Sequence, residues 1–182
     1  MVSGVYKLIS TVGQEIAVAS STGLYFCTYD YMNKKLKLES QYMVPDQIVT
    51  TVVEMQPGCF FCGIWEQGYG LVYRQGIPAQ KVMYPSASEG QCTDVIAVPD
   101  FDVERNPFLF VRTNQAVNLV DVGQLSSTLL LKVPNQAHSY QKMKLHFDDP
   151  DYRLLLTNKS GSVLSIDIGR NLLNDLRHLG ST

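Results

Sequence analysis

The residues of this chain with the most chemical potential are Cys59 and Cys62, which form a Cys-x-x-Cys unit. Such a unit serves as a redox pair or as half of a zinc site, which needs about four ligands. A redox pair usually opens a helix, whereas these cysteines open an expected strand, where residues three apart point to opposite faces. Cys27 and Cys92 fall in other strands or loops, so all four thiols are expected to be packing residues. Asp148, Asp149 and Asp151 form an acidic cluster, echoed one repeat earlier by Asp100, Asp102 and Glu104. Carboxylates so spaced suit calcium, but their recurrence suits a turn between first and second strands, where Asp and Pro are favoured.

The remaining candidates are weaker. His138, His146 and His178 are scattered, and Ser20, Ser21, Ser160 and Ser162 lie outside any Gly-x-Ser-x-Gly context. Gly68-Tyr69-Gly70 lacks the helix and lysine of a phosphate loop. The expectation is a non-enzyme with no catalytic residue, no metal and no cofactor.

Elements must then explain the chain. Its 182 residues are 45% hydrophobic and 18% charged, a globular composition. A net charge of −2 without a dense Lys/Arg run argues against a nucleic-acid surface, Lys34, Lys35 and Lys37 being read as a solvated strand end. No apolar run approaches the roughly 20 residues that cross a bilayer as a helix, so no membrane role is expected. Met1–Lys7 lacks a basic segment followed by an apolar one, which gives the expectation of an intracellular, cytoplasmic chain with reduced thiols.

The strongest signal is a repeat. Residues 107–123, PFLFVRTNQAVNLVDVG, align without a gap on residues 153–169, RLLLTNKSGSVLSIDIG, 46 positions later. Residues 15–30 and 59–76 repeat the plan of apolar run, small-residue turn and second apolar run. Gly23-Leu24, Gly70-Leu71, Ala116-Val117 and Ser162-Val163 then fall at steps of 47, 46 and 46.

Each unit reads as strands. First strands are expected at residues 5–10, 48–55, 94–98 and 143–147, and outer strands at 35–43, 79–84 and 127–133. The alternation Leu36-Lys37-Leu38-Glu39 suits a half-buried edge, and the apolar runs Phe108–Val111 and Leu154–Leu156 suit strands covered on both faces. The innermost strands read as mainly apolar. Units of about 46 residues with four antiparallel strands are propeller blades, so the expected class is all-β, with units at about 1–46, 47–92, 93–138 and 139–169. Leu172, Leu173, Leu176 and Leu179 follow helical spacing and predict a short C-terminal helix within residues 170–182, read as a cap.

The endings Leu119-Val120-Asp121-Val122-Gly123 and Ser165-Ile166-Asp167-Ile168-Gly169 resemble the hydrophobic-x-hydrophobic-Asp ending of WD40-type repeats. The resemblance runs from about Val5 to Gly169, although the Trp-Asp dipeptide and the Gly-His pair are absent from every copy. Ala17–Phe26 is also similar to citron-homology repeats. The four-bladed hemopexin-like family has about this length, but its Asp-Ala motifs and its disulfide between first and last blades have no counterpart here.

The resemblance implies that the hairpin turns and the connections from fourth to first strands share one face. The hairpins supply Trp65, Glu66, Gln67, Tyr69, Arg112, Asn114, Asn158 and Lys159, and the connections add Pro45, Asp46, Gln136 and His138. Trp, Tyr and Arg are enriched at interface hot spots, so a protein-binding face is expected at Trp65, Tyr69, Arg112, Asn114, Asn158 and Lys159, with Tyr69 and Arg112 exposed. The expected function is a propeller module for protein–protein interaction, a scaffold or part of a larger assembly. Two alternatives stand beside it. One is a homo-oligomer in which a second chain completes a half-propeller. The other is a small-ligand or ion-binding propeller, possibly hydrolytic.

Overall fold

The computed structural model describes residues 4–44, 47–65, 68–85, 91–98, 108–133, 140–148 and 151–168. Runs of β-branched and aromatic residues, broken by turn residues, form four antiparallel sheets there. The first comprises β1 (Val5–Ser10), β2 (Ile16–Ser20), β3 (Gly23–Asp30) and β4 (Lys35–Met43). The second comprises β5 (Val49–Gln56), β6 (Cys59–Ile64), β7 (Tyr69–Arg74) and β8 (Ile77–Met83). The third holds β9 (Cys92–Ala97), β10 (Phe108–Thr113), β11 (Ala116–Asp121) and β12 (Ser126–Lys132). The fourth holds β13 (Tyr140–Asp148), β14 (Asp151–Asn158) and β15 (Val163–Asp167).

Strands within each sheet neighbour one another in chain order. The first strands pack in succession, β1 on β5, β5 on β9 and β9 on β13. The sheets are therefore propeller-like blades stepping around a common axis. Among the described residues no comparable packing joins β13 back to β1. The predicted C-terminal helix within residues 170–182 lies outside the described residues.

Blades are held together by the alternation of side chains along their middle strands. On β6, Phe60 and Cys62 join Ala17, Leu24 and Phe26 of the first blade. Cys59 and Phe61 of the same strand face the other way, onto Val95, Leu109 and Val111 of the third. Every residue of β6 is thus buried, and the Cys-x-x-Cys pair is split between two cores. Phe110, Val117 and Val133 form the next interface with Met143, Leu154 and Leu156. Rings reinforce the first interface, with centroids of Phe26 and Phe60 4.9 Å apart and of Tyr42 and Tyr73 4.8 Å apart. Fully burying each such side chain contributes about 1.5–3 kcal/mol.

The small residues that mark the repeat have a steric role. A Cβ on Gly23, which has φ of 148°, would lie 2.3 Å from the Tyr42 carbonyl oxygen. A Cβ on Gly70 would lie 2.1 Å from Cζ of Phe61. The third strand of a blade begins where a neighbouring strand or ring approaches closely, which only a small residue allows.

Two expectations are corrected. The alternation Leu36-Lys37-Leu38-Glu39 does not bury one face, since residues 35–39 are all exposed and the contact of β4 with the core is made by Tyr42. The innermost strands are not merely apolar either, because they bury a polar network at the axis. Asp148 and Asp151 pair in register across the β13–β14 hairpin, the turn expected of them; their side chains and Asp149 lie outside the described residues, as do Asp100, Asp102 and Glu104.

Candidate functional site

Each first strand places two successive residues at the axis. The pairs are Tyr6-Lys7 on β1, Thr50-Thr51 on β5, Thr93-Asp94 on β9 and Lys142-Met143 on β13. Successive residues of a strand point to opposite sides, so the pairs divide into two sets.

Lys7, Thr51, Asp94 and the Met143 amide form the inner set. The Lys7 ammonium lies 3.6 Å from Asp94 Oδ1 and donates to Thr51 Oγ1 at 3.1 Å. Asp94 Oδ2 accepts the Met143 amide at 2.8 Å, and Oδ1 accepts the Val95 amide at 3.0 Å. One buried carboxylate thereby ties the first, third and fourth blades, and the lysine brings in the second. A buried carboxylate is tolerable only when so partnered.

The second set faces a cleft of about 270 Å³ lined by Tyr6, Thr50, Trp65, Cys92, Thr93, Lys142 and Lys159. Trp65 arrives from the β6–β7 hairpin, its amide bonded to the Ile48 carbonyl at 2.9 Å. Lys159 arrives from the β14–β15 hairpin, which is closed by Asn158 Oδ1 accepting the Ser162 amide at 2.8 Å. Thr50 Oγ1 donates to the Cys92 carbonyl at 2.8 Å, and Thr93 Oγ1 donates to the Arg112 carbonyl at 3.4 Å. These hydroxyl protons are engaged in holding the floor. The charged donors over the cleft are Lys142 and Lys159, both exposed and without an ion-pair partner among the described residues.

The cleft contains no carboxylate among its described lining residues. Nor does it hold an activated thiol, because burial pushes Cys92 up to about 12, with the charge of Asp94 adding to the rise. Burial also raises Cys62 to about 12. Both are protonated at neutral pH and unsuited to nucleophilic or redox work. All four cysteines are buried and free.

Of the six residues expected on a partner face, the cleft unites Trp65, which is half-buried, with exposed Lys159. Tyr69 and Arg112 are not exposed. Tyr69 is 6% exposed, packed in the first interblade core, with its hydroxyl accepting from Gln47 Nε2 and Lys81 Nζ 4.3 Å from its ring centroid. Arg112 is fully buried on β10, the strand covered on both faces, and its Nη1 donates to the Ala116 carbonyl at 3.4 Å. Burial lowers its guanidinium to about 10, which leaves it charged at neutral pH. Asn114 and Asn158 are half-buried; Asn114 Oδ1 accepts the Gln91 amide at 3.1 Å and so staples a hairpin to β9. Glu66, Gln67, Pro45, Asp46, Gln136 and His138 lie outside the described residues. Tyr6, Thr50, Thr93 and Lys142 were missed as site residues. The signal that points to them is a polar residue, Tyr6, Thr50, Thr93 or Lys142, recurring on each first strand at steps of 44, 43 and 49.

Among the described residues no group of three or more His, Cys, Asp or Glu side chains gathers as a metal site. No described helix is long and apolar enough to cross a membrane.

No family model matches the chain, and no curated protein does. Solved structures do. Apo AztD from Citrobacter koseri superposes with a TM-score of 0.52 at 14% identity, over 90% of this chain and 47% of AztD. PorZ, an essential surface component of the type-IX secretion system of Porphyromonas gingivalis, gives 0.55 at 8% identity, over 91% of this chain and 23% of PorZ. An ancestral GH74 enzyme gives 0.51 at 11% identity, over 89% of this chain and 25% of that enzyme. At these identities the likeness is one of fold. The chain spans less than half the length of each of these proteins, and its blades form an all-β, propeller-like array similar to part of theirs.

Proposed function

We propose that this chain is a non-enzymatic propeller module that binds protein partners through the hairpin face around Trp65, Lys142 and Lys159. The observation that carries this reading is the convergence of all four blades on one cleft, with an aromatic plate at its rim and two unpaired ammonium groups above it. Rigid strands holding a Trp beside adaptable charges suit recognition, since Trp is among the residues that dominate binding energy. The blade endings at Asp121 and Asp167 are read as a divergent WD40-like pattern, and the buried, free thiols fit an intracellular setting.

The test is co-purification from the native source with the double variant Trp65→Ala/Lys159→Glu. The wild-type chain is expected to retain a protein that the variant loses at least 10-fold, as hot-spot removal does. An unchanged set of retained proteins, with the variant folded, overturns the reading.

A second reading has a specific observation behind it. Val5, Tyr6 and Leu8 on β1 are about half exposed, although β1 is an innermost strand. The chain also spans 47% of AztD. Two copies are then read as completing one ring, joined at the first and last blades. Light scattering over a range of concentrations tests this: a dimer that persists on dilution supports it, and a monomer throughout excludes it.

A further inference from the structure

We infer that the cleft at the blade axis recognises a carboxylate-rich, acidic peptide segment, with Lys142 and Lys159 pairing its carboxylates and Trp65 packing its apolar side chain. This inference rests on the protein-binding reading and gives that partner a chemistry.

Charge comes first. The chain as a whole carries −2, yet the described lining of the cleft presents two lysines and no carboxylate. The nearest carboxylate of the axis network, Asp94, is engaged by Lys7 and by two amides. The positive charge of the cleft is therefore local, and no described lining residue neutralises it. Because Lys142 stands on β13 and Lys159 on the β14–β15 hairpin, both belong to the fourth blade, while Tyr6, Thr50 and Trp65 line the cleft from the first and second. The cations are on one side and the aromatic rings on the other.

Size and donor type then select the ligand. About 270 Å³ holds one or two amino-acid side chains, below the range usual for a drug-sized ligand. Nucleic acid needs a long basic track, and the chain's charge supplies none. Lysine ammonium groups are compact point charges that pair with an anion of any geometry, and the apolar plate of Trp65 opposite them suits carboxylates set among apolar side chains. Arg112, whose carbonyl accepts from Thr93 of the floor, is fully buried with its Nη1 donating to the Ala116 carbonyl. The floor hydroxyls of Thr50 and Thr93 already donate, so charge recognition falls to the two lysines, with the Tyr6 hydroxyl and the Trp65 indole N–H as neutral donors beside them.

Trp65 is the only tryptophan and lines the cleft, so its fluorescence reads binding directly. The probe is an end-blocked hexapeptide of alternating glutamate and leucine, titrated at low salt. The expected result is a saturable change in Trp65 emission that weakens at least 5-fold in Lys142→Gln and in Lys159→Gln, weakens with added salt, and is unaltered in the control Lys35→Gln on β4. The glutamine version of the peptide should leave the emission unchanged. Absence of saturation overturns the inference, as does equal binding by the glutamine peptide or by both lysine variants. Tighter binding of a single-stranded oligonucleotide than of the peptide overturns it too, in favour of nucleic acid. Should the peptide fail while Trp65→Ala/Lys159→Glu still loses a co-purifying protein, the acidic chemistry falls and the protein-binding reading stands; loss of neither removes both.

Discussion

Replacing Asp94 with alanine is expected to lower the unfolding free energy by about 3–4 kcal/mol, among the largest effects available to a single substitution in this chain. The reason is geometric. Asp94 is 5% exposed and accepts from the Met143 amide while pairing with Lys7. Its removal leaves a buried amide without its acceptor and an ammonium without its counter-charge, and each carries a desolvation cost. Asp94→Asn keeps an oxygen for the amide and loses only the charge, so it should cost clearly less, about 1–2 kcal/mol. Lys7→Met removes the cation and leaves the carboxylate buried, which should cost about as much as the asparagine variant or more. Urea unfolding of the three variants checks the order. Equal stabilities for wild type and Asp94→Ala would mean that the axis network does not bind the blades together.

The second large effect is a coupled pair in the core of the second blade. Phe61 is fully buried, and its ring fills the space that a side chain on Gly70 would occupy. Phe61→Ala should cost about 3–5 kcal/mol through lost burial and the cavity left behind. Gly70→Ala should cost about 1–3 kcal/mol, because the new Cβ would have to displace that ring and approach the Tyr84 hydroxyl, 2.8 Å from its ideal position. The two changes should not add. With Phe61→Leu in place, the Cζ contact disappears and Gly70→Ala should become at least about 1 kcal/mol less costly. A double-mutant cycle by denaturant unfolding measures this coupling. Strict additivity would show that the ring does not set the requirement for glycine.

The same physics explains what the sequence makes legible. The repeat is readable because each blade needs a small residue at the start of its third strand, and Gly23 and Gly70 show the steric reason directly. The Cys-x-x-Cys unit is readable as packing because strand alternation sends Cys59 and Cys62 to different cores. The axis is harder to read. Lys7, Thr51 and Asp94 sit in short strands among Val and Ile, so an average over the strand hides a polar position that matters only when blades meet. Those meetings are long-range, and no window of neighbouring residues contains them.

Exposure is misjudged at Tyr69 and Arg112 for a related reason. Residue type and hairpin position suggest a contact face, yet both occupy middle strands that a blade covers on both sides. Trp65 and Lys159 stand just beyond their strands, in the hairpins themselves, and there the expectation of a shared face agrees with the placement. Lys142 escapes notice because it lies one residue before Met143 on a strand expected to begin at that methionine, whereas β13 begins at Tyr140. A boundary error of three residues is enough to hide half of the cleft's charge.

The most direct measurement of the central claim is site-specific photo-crosslinking in the native source, with a benzophenone amino acid placed in turn at position 159 and at position 35 on the outer strand β4. The account predicts a discrete crosslinked protein from position 159 and none from position 35, because partners meet the hairpin face above the axis. Crosslinking from position 35 alone would contradict it, and would move the binding surface to the rim of the first blade.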